Sequence, residues 1–326
     1  MFSYRSLLKQ AWGITWRHKY LWFFGLFAAL TAAGGSIEYQ VVTSNLNQNL
    51  VNGNYSYLNS VYAWGLVLKG FFVWIIGFLG QNILVIINSL SLLLLTAALL
   101  GAIVFLAIVS QAGLIDSIKK LSNSKKKEKA ITISEGLTNG RPYFWSVLGL
   151  NLVIRILANF VFFIISLPLL FMVLKDSSAF AAVYTILFVI FIPVAVSLSL
   201  MVKFAISYNV LEKESFINSL EKGWKLFMKN WLVSLEMAII LFILNFVVLL
   251  LLMAAITLFI FPLFLVSVIY QVVGLTYLML FFTTVAIILV GSSLVTFQIS
   301  TWTTLFIRLK DKGGIAKLER FFEKNK

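Results

Sequence analysis

Three charged side chains, Arg155, Lys203 and Glu236, lie inside long apolar runs of this chain. A charge in hydrocarbon is costly, so each of the three is a candidate functional group that needs a partner, a water-filled cavity or a route to the headgroups. Lys203 falls about seven residues before the end of its run and Glu236 about five after the start of its own. At such similar depths the two are placed either to pair with each other or to snorkel separately toward the headgroups. Arg155 lies deeper, some twelve residues into its run. With Asn151, Asn159 and Gln298 it is positioned to line a polar cavity, unless the amides simply hydrogen-bond between helices.

Conventional catalysis has little material. His18 is the single histidine and stands between Arg17 and Lys19, and the chain has no cysteine, which excludes thiolate nucleophiles, disulfides and cysteine-ligated metals. None of the twelve carboxylates forms a helix-spaced pair with a histidine, the usual route to a metal site. Nor does the chain contain a phosphate-binding Walker loop, a G-x-S-x-G elbow or a dinucleotide fingerprint. The expectation is a protein that is not an enzyme and carries no cofactor.

The elements that position these charges follow from composition. Hydrophobic residues make up 61% of the chain and charged residues 12%, about half the charged share of a soluble domain. Runs such as Phe144 to Leu174 and Trp231 to Phe261 exceed the roughly 20 apolar residues that cross a bilayer core. The net charge of +14 does not point to nucleic acid, because the cations sit at the ends of the apolar runs. Met1 to Lys19 holds four Lys and Arg, Leu114 to Arg141 seven, Leu211 to Asn230 four and Ile307 to Lys326 seven, together 22 of 26. Cations beside spans are retained in the cytoplasm, so the number of crossings between these clusters is even.

Six spans satisfy that count: Tyr20 to Gly35, Ile83 to Gly113, Tyr143 to Leu174, Ala179 to Val210, Trp231 to Phe261 and Val273 to Phe306. Most are near 30 residues, about 45 Å of helix, and should tilt, kink or project beyond the bilayer. Both termini are then cytoplasmic, in the cell membrane. Val61 to Gly80 is apolar enough to be a seventh span, but its Tyr62, Trp64 and Trp74 suit an interface and its four glycines weaken a straight helix. It is read as an outer-surface or re-entrant helix.

A second kind of element recurs. In Leu211 to Leu235, apolar Phe216, Ile217, Leu220, Trp224, Phe227, Met228 and Trp231 follow helical spacing, with Lys213, Asn218, Glu221, Lys222, Lys225 and Lys229 on the other face. Such a helix suits the headgroup layer. Shifting back by 212 positions brings Tyr4 onto Phe216, Leu8 onto Leu220, Ala11 onto Gly223, Trp12 onto Trp224 and Arg17 onto Lys229. A one-residue slip then matches Tyr20 and Leu21 with Trp231 and Leu232. A fainter copy places Ile133, Gly136, Leu137 and Phe144 on Leu220, Gly223, Trp224 and Trp231. The returning spans end alike, with LAIV at Leu106, FAIS at Phe204 and FQIS at Phe297.

The chain is therefore expected to be a single all-α membrane domain of three hairpins, each preceded by a cytoplasmic amphipathic helix: units 1–113, 114–210 and 211–308, with a basic tail 309–326. The opening also has the layout of a signal peptide, a basic stretch before LWFFGLFAAL and LTAAGG. Its twin at Phe216 argues for the interfacial reading instead.

Trp12, Trp16, Trp224 and Trp231 are the candidate interfacial anchors. Lys119, Lys120, Lys125, Lys126 and Lys127 are candidate contacts for anionic headgroups, each worth about 1 kcal/mol near such a surface, or else a solvated topology signal. The Asn-rich loop Asn45 to Ser60 carries one chance sequon, Asn54-Tyr55-Ser56.

The repeated Trp12 with Arg17 and Trp224 with Lys229, each leading into an aromatic-headed span, together with six long helices and a basic tail, resemble a broad group of bacterial membrane proteins. Among them is the membrane domain attached to some glycerophosphoryl diester phosphodiesterases. In that family hydrolysis belongs to a separate soluble barrel using histidines, carboxylates and a metal, for which this chain has neither the length nor the histidines. The resemblance implies membrane architecture alone. The functional expectation is a protein that organises or accommodates membrane lipids, partner proteins or a second copy of itself. The competing class is a transporter of a small or lipidic solute.

Overall fold

A computed structural model describes residues 4–32, 82–123, 132–175 and 179–312. Among these, every regular element is a helix. In chain order they are α1 (Tyr4–Arg17), α2 (Leu21–Ala32), α3 (Ile83–Asn123), α4 (Ile133–Gly140), α5 (Phe144–Lys175), α6 (Ala179–Glu212), α7 (Phe216–Lys229), α8 (Trp231–Ala255), α9 (Phe261–Ile269) and α10 (Val273–Lys312). The Val61 to Gly80 segment, the Asn45 to Ser60 loop, Lys125, Lys126, Lys127 and most of the basic tail lie outside the described residues.

Five stretches are long and apolar enough to cross a membrane: Ile83–Ser122, Ile133–Val161, Thr185–Glu212, Trp231–Ile269 and Val273–Asp311. Of the expected first span, the described part is α2, a 12-residue apolar helix. The long helices outrun a bilayer core. α3 has 41 residues and α10 has 40, about 60 Å each at 1.5 Å per residue. Their last turns, carrying Asp116, Lys119 and Lys120 in α3 and Arg308, Lys310 and Asp311 in α10, extend the same rods into polar surroundings.

Between α8 and α9 the helix passes through a π-turn, Ile256–Ile260. Pro262 follows, at the start of α9. A proline ring offers no N–H and crowds the carbonyl four residues back, so the ladder widens there rather than breaking. The reversal into α10 places Gln271 at φ 54° and is tied by a 2.6 Å hydrogen bond between the hydroxyls of Ser267 and Thr276.

The chain divides into two compact units. In the one made of Ala32–Phe105 and Leu152–Ser199, large apolar side chains point outward, among them Leu84, Ile156 and Ile186. That exposure would be untenable in water and carries no penalty against lipid tails.

The other unit, Met1–Thr31, Leu106–Asn151 and Leu200–Lys326, holds the packed interior. Small and hydroxylated residues line it: Ser110, Ser117, Ser207, Ser300, Thr301, Thr303 and Thr304 are all buried. The hydroxyls of Ser117, Ser207, Thr301 and Thr304 donate to carbonyls one turn back in their own helices. Their polarity is thus satisfied locally while the backbones approach closely.

The short helices are seated on this interior by a common register. α1 buries Leu7, Ala11, Ile14 and Thr15; α7 buries Ser219, Gly223, Leu226 and Phe227. These are the same four positions at the 212-residue offset, and the two helices begin and end at equivalent residues. α4 buries Gly136 and Gly140, which fall on Gly223 and Phe227 in the fainter alignment. Its start is fixed by a capping box between Thr132 and Glu135.

The face packed on the protein is not the apolar one. Ile217, Trp224 and Met228, assigned to one apolar face, are exposed, and the stripe of Ser219 and Gly223 packs inward instead. A Cβ on Gly223 would stand 2.8 Å from the Ala205 backbone nitrogen, so helix contact here selects for smallness rather than hydrophobicity.

Each of α1, α4 and α7 rests on two other helices. α7 lies against α6 at Gly223 and Ala205, and against α5 where the Phe216 ring covers Gly149. α4 crosses α3 at Gly113 and α2 at Phe24. α1 lies against α10, with Trp12 edge-on to Phe297 at 5.9 Å, and reaches α8 through Tyr4 and Glu236.

Candidate functional site

The charged residues gather where α1 and α7 meet the ends of α3, α6 and α10. Glu212 ends α6 and joins two neighbours: its carboxylate lies 2.6 Å from Lys310 Nζ of α10 and 3.6 Å from Lys119 Nζ of α3. Lys119 also donates to the Leu211 carbonyl at 2.6 Å, and Lys120 pairs with Asp116 at 2.7 Å. The two predicted lysines that are described are therefore engaged within the protein. The chain then turns sharply, with Lys213 at φ 55° and Asn209 donating to the Glu214 carbonyl.

On α7 two of the three cations are matched, and Lys229 takes part in none of the ion pairs among the described residues. Lys222 pairs with Glu214 and Lys225 with Glu221. The hydrogen bond it donates to Glu214 raises the Lys222 ammonium above its ordinary value, and the hydrogen bond from Lys225 holds the Glu221 carboxyl below its own. α1 differs. It contains no acid, and Arg5, Lys9 and Arg17 are exposed along it, with Lys19 just beyond its end.

The four predicted anchors, Trp12, Trp16, Trp224 and Trp231, are all exposed. Trp12 and Trp16 meet at 5.3 Å with their rings tilted by 48°, and Trp16 meets Trp22 edge-on at 5.2 Å. Trp22 is fixed in turn by an indole hydrogen bond to the Thr15 carbonyl at 3.0 Å. This three-tryptophan ladder is continuous from α1 into α2.

The intramembrane charges fall in different surroundings. Lys203 lies with its ammonium 4.6 Å from the centre of the Trp302 ring, a cation–π contact. Glu236 accepts the phenolic hydrogen of Tyr4. Each of the two is met by a side chain from elsewhere, Lys203 by Trp302 of α10 and Glu236 by Tyr4 of α1. Arg155 is half-buried in the other unit. Of the amides grouped with it, Asn151 donates to Gln111 Oε1 at 3.0 Å and to the Val147 carbonyl, and Asn159 is exposed.

Tyr4 and Glu212 were not anticipated as partners. The signal for Tyr4 was the hydroxyl that distinguishes it from Phe216 at the equivalent place. For Glu212 it was that Lys119 and Lys310 each stand thirteen residues beyond the matched Leu106 and Phe297.

A hydrogen bond to a charged acceptor is worth about 1.5–3 kcal/mol. Tyr4→Phe should therefore lower the melting temperature of the detergent-solubilised protein. Adding Glu236→Gln to it should cost little more than the worse single change. Fully additive losses would mean that the two side chains act independently.

The helices point to a class, the multi-pass α-helical membrane protein. Beyond the class, no protein-family model, curated protein or solved structure matches the chain.

Proposed function

We propose that this is a non-enzymatic multi-pass membrane protein that organises or accommodates membrane lipids or partner proteins. It would lie in the cell membrane with both termini cytoplasmic, built of three hairpins that are each preceded by an interfacial helix. The observation that carries this reading is the seating of α1 and α7: one face of each is locked into the interior in a shared register, and the opposite face leaves Trp12 and Trp16, or Ile217, Trp224 and Met228, outward. Tryptophan at that position favours the headgroup layer, where an apolar ring and a polar N–H are both accommodated. The contacts of α1, α4 and α7 support the three-hairpin repeat, since each short helix rests on the hairpin before it and the first rests on the last.

The likeness to the membrane domain of glycerophosphoryl diester phosphodiesterases is proposed as one of architecture, without the hydrolytic barrel. A transporter would draw on the polar residues near Arg155, but Asn151 is already bonded to Gln111, which weakens that alternative.

Purification in a mild detergent, followed by mass spectrometry of all that accompanies the protein, tests the proposal. Near-stoichiometric phospholipid or a second membrane protein is expected. A protein stripped of both that moves a solute across proteoliposomes would overturn it.

A further inference from the structure

We infer that the two outward helix faces have different partners, and that α1 is the face that binds the headgroups of anionic phospholipid. This rests on the lipid-organising reading above and names where and how the lipid is held.

The argument starts from equivalent positions. On α1 the outward stripe reads Arg5, Lys9, Trp12 and Trp16; at the same places α7 has Ile217, Glu221, Trp224 and Met228. The spacing of four, three and four residues puts each set on one helix face. All eight side chains are exposed. One stripe thus carries two cations beside two tryptophans, and the other carries an acid and no cation.

The surroundings widen the difference. Of the three cations of α7, Lys222 and Lys225 are neutralised by Glu214 and Glu221, and Lys229 alone takes part in no ion pair among the described residues. Among the described residues, Arg5, Lys9, Arg17 and Lys19 take part in none of the ion pairs. α1 and the turn after it therefore offer four such cations within fifteen residues, against one on α7. Each cation near an anionic leaflet adds attraction, and Trp12 and Trp16 supply a rigid apolar edge that sits at the level of the phosphates. Arg presents a planar fork that matches phosphate oxygens. The buried side of α1 is occupied by α10, so this cationic stripe is the face left for lipid.

The test compares two variants of the full chain with the unaltered protein. One carries Arg5→Gln, Lys9→Gln, Arg17→Gln and Lys19→Gln; the other carries Lys222→Gln, Lys225→Gln and Lys229→Gln. Each is reconstituted in bilayers of equal phosphatidylglycerol and phosphatidylcholine, re-extracted in mild detergent, and analysed for retained lipid. All substituted residues are exposed, and equal melting temperatures verify that each variant is folded.

The unaltered protein should retain phosphatidylglycerol in excess. That excess should fall about threefold or more in the α1 variant and stay within about twofold in the α7 variant. Equal loss in both variants, or full retention in the α1 variant, overturns the assignment to α1 while leaving the lipid-organising reading in place. If the unaltered protein retains neither phospholipid, that reading itself falls.

Discussion

Gly25→Val should destabilise the protein by about 3 kcal/mol, the upper end of the cost of forcing extra methyl groups into a packed interior. Gly25 of α2 faces α10 so closely that an added Cβ would collide with Thr296 Oγ1 and with the backbone oxygen of Ser292. Backbone cannot rotate aside, so α2 must move as a unit. The displacement would also break the hydrogen bond from Thr296 Oγ1 to the Leu21 carbonyl, now 3.2 Å. It would open the cluster of Ile14, Leu21, Phe24, Leu114 and Ile118 that joins α1, α2 and α3. Thermal unfolding in detergent measures this directly, with Gly101→Ala as the control. Gly101 has no neighbour within 4 Å of the added carbon, and alanine there should stabilise its helix by about 0.5–1 kcal/mol. A Gly25→Val protein that melts with the unaltered one would refute the close crossing of α2 and α10.

Glu212→Lys should cost about 3 kcal/mol, by replacing the attraction at one partly buried point with repulsion among three cations. The Glu212 side chain retains 30% of its accessible surface, and Lys119 and Lys310 retain 33% and 38%, so solvent screens part of the effect. Glu212→Gln, which removes the charge without reversing it, should cost about 1–2 kcal/mol. Combining Glu212→Lys with Lys310→Glu should recover a large part of the loss, because the 2.6 Å contact is then restored in reversed order. Raising the salt concentration should narrow the gap between Glu212→Lys and the unaltered protein. A reversed pair that is no more stable than the single variant would show that the three helices are held by packing alone.

Much of the helical plan was legible in the sequence, because run length and hydropathy report how much chain lipid can accept. The starts of α3, α8 and α10 at Ile83, Trp231 and Val273 coincide with the expected spans. Their far ends were less legible. α3 continues past Gly113 to Asn123 and α10 past Phe306 to Lys312, since an α-helix satisfies its own backbone on either side of the bilayer boundary.

The contact faces were the least legible. Hydropathy ranks Trp224 and Met228 above Gly223 and Ser219, yet the small residues face the protein. In lipid the apolar side chains have no water to escape, and what separates one face from another is how closely a neighbouring backbone can approach. The site charges illustrate the same limit. Lys203 and Glu236 were matched by depth alone. Depth does not say which way a side chain points around its helix, and the contacts with Trp302 and Tyr4 come from opposite ends of the chain.

The shared seat of α1 and α7 has one further consequence. Ala11 and Gly223 anchor their helices from the inside, while Arg5 and Ile217, or Lys9 and Glu221, occupy matching outside places without touching that anchorage. Assembly and surface chemistry are therefore inherited through different residues. The outer lettering can be redrawn, purely cationic in one copy and mixed in sign in the other, while the joinery beneath stays the same.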